Sequence, residues 1–323
     1  MEELVEKVGE TWSTLDSALR DDWFDIDSSR KHITQGEWQE MKCARDNMAQ
    51  VLRCLRVWYD LSPKILILAL HTMDSFLAKI KVQAKHVPCI ALSCFHLAME
   101  WSEEGIMITL SELVTISQTR CSTHDLLRMQ GIILSKLEWK QAPPTSFTFL
   151  ELFHSLLNHA AHIAKLSCEE VVSGLLPLEL CTQRLEVLMC SHKCSNLKRS
   201  AVALALLNYV LIEEMPPRWN WSIYIKDLQE FCKITSDEFE KSKHIVQKVL
   251  SSYDHQQQLP HHLRQQLNWK LSVRTWRQLH LALRRRQFSL PPLEECNDGS
   301  NCEYCRYFCF STHSVSSNNE WKK

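Results

Sequence analysis

CIALSCFHLA at residues 89–98 and AVALALLNYV at residues 201–210 are the two stretches from which the architecture follows. Both are apolar on every helical face and rich in small side chains, and Ala91 and Ser93 of the first match Ala203 and Ala205 of the second at one offset. A helix apolar all round must be enclosed by other helices. Small residues let those neighbours approach its backbone, so each stretch reads as the central helix of a bundle. A second pair repeats at the same offset: THDLLRMQGIILSKL from Thr123 and TSDEFEKSKHIVQKV from Thr235, with Thr123, Asp125, Ile133 and Lys136 matching Thr235, Asp237, Ile245 and Lys248. Each opens on a hydroxyl residue read as the N-cap, with an acid in the first turn, which serves orphan N–H groups and the helix dipole.

Working outward, apolar spacing over residues 38–59 predicts a helix with Met41, Met48, Val51, Leu52 and Leu55 on one face. Ser62 followed by Pro63 predicts the start of a second, to about residue 80. Further helices are predicted over 85–101, 109–118 and 122–137. Pro143-Pro144 punctuates the chain, and the second half repeats the plan over 145–158, 177–191, 196–214, 221–232 and 235–253. No stretch shows sustained period-two alternation, so no sheet is expected. The fold class is all-α. It comprises two tandem five-helix bundles, at residues 37–141 and 142–255, with a flexible extension at 1–36 and a flexible tail at 256–323 that is basic and then cysteine-rich.

Composition agrees with long helices: apolar residues make up 45% of 323, with 6 Gly and 10 Pro. A net charge of −1 offers no general attraction to nucleic acid or anionic membrane. The N-terminal MEELVEKVGETW is acidic and lacks the apolar run of a secretory signal. The run at 65–70 is far below the ~20 residues needed to span a bilayer. A nuclear and cytoplasmic chain with reduced thiols is expected, without a membrane partner, and most of its 14 cysteines, Cys54, Cys89 and Cys94 among them, read as small buried hydrophobes. His71, His86 and His96 lie on helices, but no phosphate loop, nucleophile elbow or zinc-protease motif accompanies them. No enzyme, no catalytic residue and no cofactor are expected.

Three strings, DSFLAKIKVQAKH (74–86), LSCFHLAMEWSEE (92–104) and ISQTRCSTHDLLRMQGIILSKLEW (116–139), closely resemble the cyclin G and cyclin I sequences. LNWKLSVRTWRQLH (267–280) followed by LPPLEE (290–295) is similar to the end of cyclin G. The resemblance spans about residues 40–295 and implies paired cyclin boxes, the first packing on a cyclin-dependent kinase. It also implies which residues face the kinase. The lysine and glutamate used by cell-cycle cyclins fall on Glu100 and Gln130, a charge reversal and a charge loss. The Met-Arg-Ala-Ile-Leu patch that docks substrate peptides falls on Ala44, Arg45, Asp46, Asn47 and Met48, with Val51 at the usual tryptophan. Only Arg45 is retained, so peptide docking there is expected to be poor, since Asp46 and Asn47 would be desolvated unpaired. The usual Asp-Arg-Phe-Leu of the second helix is altered to Asp74, Ser75, Phe76 and Leu77.

The tail carries Arg264, Lys270, Arg274, Arg277, Arg284, Arg285 and Arg286 without an acid between His255 and Pro292. With Leu267, Val273, Trp276, Leu279, Leu281 and Leu283 this allows a basic amphipathic helix; it is the only strip suited to phosphate, so nucleic acid is not an expected partner. Leu290, Leu293 and Glu295 fit the extended Leu-x-x-Leu-x-Glu pattern that B-prime regulatory subunits of type 2A protein phosphatase bind, and cyclin G sequences resemble it at this place. Two aliphatic anchors would fill pockets while Glu295 meets a basic surface. Cys296, Cys302, Cys305 and Cys309 include a C-x2-C spacing that makes them weak candidates for a metal, alongside His313. The expected function is a regulatory adaptor in growth or cell-cycle control that binds a cyclin-dependent kinase, that phosphatase subunit, or both. The alternative is an activating cyclin subunit of a non-cell-cycle kinase.

Overall fold

The computed structural model describes residues 2–20, 35–102, 108–139, 141–167, 177–214 and 221–258. These form α1 (Glu2–Arg20), α2 (Gln35–Trp58), α3 (Pro63–Lys79), a 3-10 turn (Ala84–His86), α4 (Val87–Glu100), α5 (Leu110–Ser117), α6 (Thr123–Leu137), α7 (Ser146–Ser167), α8 (Leu178–Met189), α9 (Arg199–Glu214), α10 (Trp221–Phe231) and α11 (Ser236–Gln258). The described residues contain no strand. One compact unit covers Met1–Tyr253; a second, Asp254–Lys323, contributes only the end of α11 to the described residues.

Local chemistry sets the starts of several helices. Ser62 Oγ accepts from the Lys64 N–H, and Pro63 sits in the first turn of α3, where its missing N–H costs no helix bond. Thr109 and Glu112 form a reciprocal capping box on α5, and Thr235 and Glu238 form the same arrangement on α11. The cap of α6 is Ser122, boxed with Asp125, rather than Thr123. The caps of α6 and α11 therefore differ by one residue from the offset that relates the central helices.

Helices α4 and α9 are the enclosed elements. On α4, Val87 and every residue from Cys89 to Met99 are buried, and the helix packs against α2, α3 and α6. Ser93 shows why a small side chain is needed: its Oγ donates 3.2 Å to the Leu126 carbonyl, which brings the two backbones together. On α9, Ser200 to Leu206 are buried, and α7, α8 and α10 surround the helix. Each fully enclosed Leu or Phe contributes roughly 1.5–3 kcal/mol from burial.

The N-terminal extension differs from expectation. Its residues Glu2–Arg20 form α1, whose apolar line at Val8, Trp12, Leu15 and Ala18 has helical spacing and lies on α7. Trp12 meets Phe231 of α10 edge-on, with centroids 4.5 Å apart.

At the junction of the halves, the buried His71 ring on α3 stacks on Trp139, and Arg199 of α9 donates to the Pro144 carbonyl. Burial, and then the charge of Arg199, hold the His71 pKa well below its ordinary value of 6.5. The folded state keeps this ring neutral where the unfolded chain protonates it. Its contribution is thus present above pH 6.5 and lost as pH falls, by up to about 1.4 kcal/mol per pH unit. Urea denaturation between pH 7 and 5.5 should show stability falling, and His71→Phe should flatten that fall. Gly131 in α6 has open space where a Cβ would stand, so Gly131→Ala should raise stability by about 0.5–1 kcal/mol in the same assay.

Candidate functional site

Two clusters hold the residues singled out by sequence. The first joins α2 and α3 to the end of α8. Arg45, 3% exposed, grips Asp74 of α3 with both prongs of its guanidinium, Nε to Oδ1 at 2.9 Å and Nη2 to Oδ2 at 2.7 Å. Nη2 also donates 2.7 Å to the carbonyl of Met189, in the last turn of α8, where helix carbonyls lack intrahelical donors and the dipole favours a cation. Burial opposes the charge on Arg45, but Asp74 and then Asp46 more than offset it and raise the guanidinium pKa.

Asp46 completes the clasp from the next position. Its carboxylate receives the His192 backbone N–H at 2.7 Å and lies 2.6 Å from His192 Nδ1, in the turn after α8. One turn before Met189 on α8, Glu186 sits between Arg56, at 2.7 Å, and Arg53, at 3.7 Å. Burial pushes its carboxyl pKa upward while the two arginines hold it back.

These contacts correct two expectations. Arg45, placed by resemblance on a partner-facing surface, is spent inside the molecule. Asp46 is not an unpaired acid spoiling an apolar groove: its charge is taken up by His192 and Arg45. Asn47 is exposed to water. Glu186, Arg53, Arg56 and His192 were missed. An acid between the buried Leu185 and Leu188 was a signal for Glu186; nothing local marked His192.

The second cluster lies where α4 ends beside α6. Glu100 is exposed, as a partner-facing residue must be. Gln130 is not: it is 6% exposed, in line with the buried Leu126, Ile133 and Leu137, and its amide nitrogen lies 2.9 Å from His96 Nδ1. Burial lowers the pKa of His96, with Glu100 raising it less, so the neutral ring accepts the Gln130 amide hydrogen. Glu100 Oε1 lies 3.3 Å from the same nitrogen, with its side chain 42% exposed. Outward on α6 stand Leu127, 55% exposed, and Ile132, 36% exposed, on either side of Gly131.

Leu290, Leu293, Glu295, Cys296, Cys302, Cys305, Cys309 and the basic strip at 264–286 lie outside the described residues. Among those described, no helix is long and apolar enough to cross a membrane.

The profile of the family "Cyclin, N-terminal domain" matches residues 26–142. The chain is 35% identical to Cyclin G of Drosophila melanogaster over 277 residues, covering 83% of this chain and 47% of that protein. It is 32% identical to Cyclin-G1 of Bos taurus over 238 residues, covering 73% of this chain and 77% of that one. The chain belongs to the cyclin G family. It spans about half the length of the Drosophila relative and about three quarters of the bovine one. A viral cyclin from herpesvirus saimiri aligns over 66% of this cyclin and 88% of its own chain, at 18% identity and a TM-score of 0.48; the family assignment rests on the sequence relatives.

The clasp gives this cyclin a measurable signature. Arg45→Leu leaves Asp74 charged and buried and should cost about 3–5 kcal/mol, whereas Arg45→Leu with Asp74→Leu removes the stranded charge and should recover part of that loss. Equilibrium denaturation of the single and double variants reads the difference.

Proposed function

We propose that this cyclin is a non-enzymatic regulatory adaptor, with boxes at 37–141 and 142–255, that holds a cyclin-dependent kinase against the first and the B-prime subunit of type 2A phosphatase through its tail. It would act in the nucleus and cytoplasm. Membership of the cyclin G family supports a regulatory role. The observation that carries the kinase half is Leu127, an apolar side chain left 55% exposed on α6 of the first box, with Glu100 exposed at the end of the α4 helix that α6 packs against. Such a face gains by covering. The phosphatase half rests on Leu290, Leu293 and Glu295, whose spacing suits an extended peptide with two anchors and one charge.

Glu100 bears on which kinase is accepted. An acid meeting a partner surface shaped for lysine is repelled and desolvated together, a cost of several kcal/mol. Exposed Leu127 also favours a second reading, an activating subunit for a non-cell-cycle kinase whose facing residues tolerate Glu100.

Pull-downs against a panel of purified cyclin-dependent kinases and B-prime subunits test both halves. Leu127→Asp should weaken kinase capture by roughly tenfold or more, as loss of a central apolar contact does. Glu100→Lys should increase capture of cell-cycle kinases. Leu290→Ala with Leu293→Ala should abolish phosphatase capture and leave the kinase bound. Unaltered capture by either variant set removes that half of the proposal, and stimulation of a captured kinase selects the activating reading.

A further inference from the structure

A notch opens beside the clasp, where α2 and α3 meet the turn that follows α8. Trp38 and Met41 of α2 and Leu77 and Ala78 of α3 give it apolar walls, Lys42 stands among them, and the turn at 192–196 contributes to the lining. Its volume is about 40 Å³. One water needs about 10–15 Å³ on that measure, so the space suits roughly three waters or one branched aliphatic side chain. The walls are fixed before anything enters. Arg45 ties α2 to α3 at Asp74 and to the end of α8 at the Met189 carbonyl, and Asp46 holds the turn at His192. Little further ordering is then required of the protein on binding, which favours affinity.

The charge of the notch has one sign left over. Arg45 and Asp74, both in the lining, neutralise one another at 2.7 Å. Asp46, at the edge, is occupied by Arg45 and by the His192 backbone N–H. Glu37 lies 3.9 Å from Lys81, and helix periodicity puts Glu40 on the far side of α2 from Trp38 and Arg45. Lys42 remains. Its Nζ lies 5.1 Å from the centroid of the Trp38 ring, which holds the ammonium against the apolar wall, and no carboxylate pairs with it among the described residues. Lys193, exposed in the turn, adds a second cation.

We propose that this notch docks an acidic linear peptide of a partner protein. One aliphatic side chain of the peptide enters between Trp38, Met41, Leu77 and Ala78, and a neighbouring carboxylate bonds to Lys42. The site is separate from the peptide patch marked by family resemblance: Ala44, Asn47, Met48 and Val51 lie about a third of a turn around α2 from Trp38, Met41, Lys42 and Arg45. It also shares no residue with Leu127, Glu100 or the 290–295 tail, so its test is independent of the proposed function.

A phage-displayed library of random short peptides is selected on the full-length chain, captured through an affinity tag. Enriched sequences should carry a Leu, Ile or Val within a few residues of Asp or Glu. The strongest is then synthesised with a fluorescein label and titrated by fluorescence polarisation. Lys42→Glu should weaken its binding roughly tenfold or more, and added salt should weaken wild-type binding more than that of Lys42→Ala. Ala78→Phe, which fills the notch from the end of α3, should reduce binding by a similar factor. Circular dichroism checks each fold, and the partly exposed Lys42 carries the test if Ala78→Phe does not fold. Enrichment of basic peptides, or of none, overturns the proposal, as does a selected peptide that binds Lys42→Glu as tightly as wild type. A dimer of the wild-type chain that Ala78→Phe dissociates in size-exclusion chromatography places a second copy in the notch and also overturns it.

Discussion

A single guanidinium ties together three helices. Arg45 leaves α2, forks onto Asp74 of α3 and reaches the last turn of α8 at the Met189 carbonyl. Burying a cation is costly, and the cost is offset only because a carboxylate meets it with both oxygens and a helix end supplies a further acceptor. The relation of α8 to α2 follows from that geometry, and Asp46 with His192 and Glu186 with Arg53 and Arg56 extend the same seam along α2. An apolar seam would hold as well; this one also discriminates, since sliding α2 by a turn would strand several charges at once.

The seam changes how substitutions within a family pattern are understood. Position by position, Asp46 and Gln130 look like losses on surfaces that other cyclins use. In this molecule each has an internal partner. Asp46 receives the His192 N–H, and Gln130 satisfies His96 beneath the α4–α6 contact. Glu100, by contrast, is exposed at the end of α4. The substitutions at Asp46 and Gln130 thus change how the protein holds itself together.

The first bundle joins rigidity to exposure. The central helix α4 is enclosed by three neighbours, and α6 lies against it closely enough for a serine hydroxyl to reach the opposite backbone. That support lets α6 carry Leu127 and Ile132 into solvent without rearranging.

By itself the sequence determined the helices, because what specifies them is local. Ser62 with Pro63, and Thr109 with Glu112, act within one turn, and the all-apolar stretches at 89–98 and 201–210 announce enclosed helices wherever they are placed. Even α1 was written in the spacing of Val8, Trp12, Leu15 and Ala18, and the inward face of Gln130 in its alignment with Leu126, Ile133 and Leu137; a family position had suggested the opposite. Tertiary structure alone decided the clasp. Arg45 and Met189 stand 144 residues apart, and no period or cap relates them. Which acid a buried arginine meets depends on the packing of whole helices. Short-range hydrogen bonds set the ends of helices; long-range burial chooses their partners.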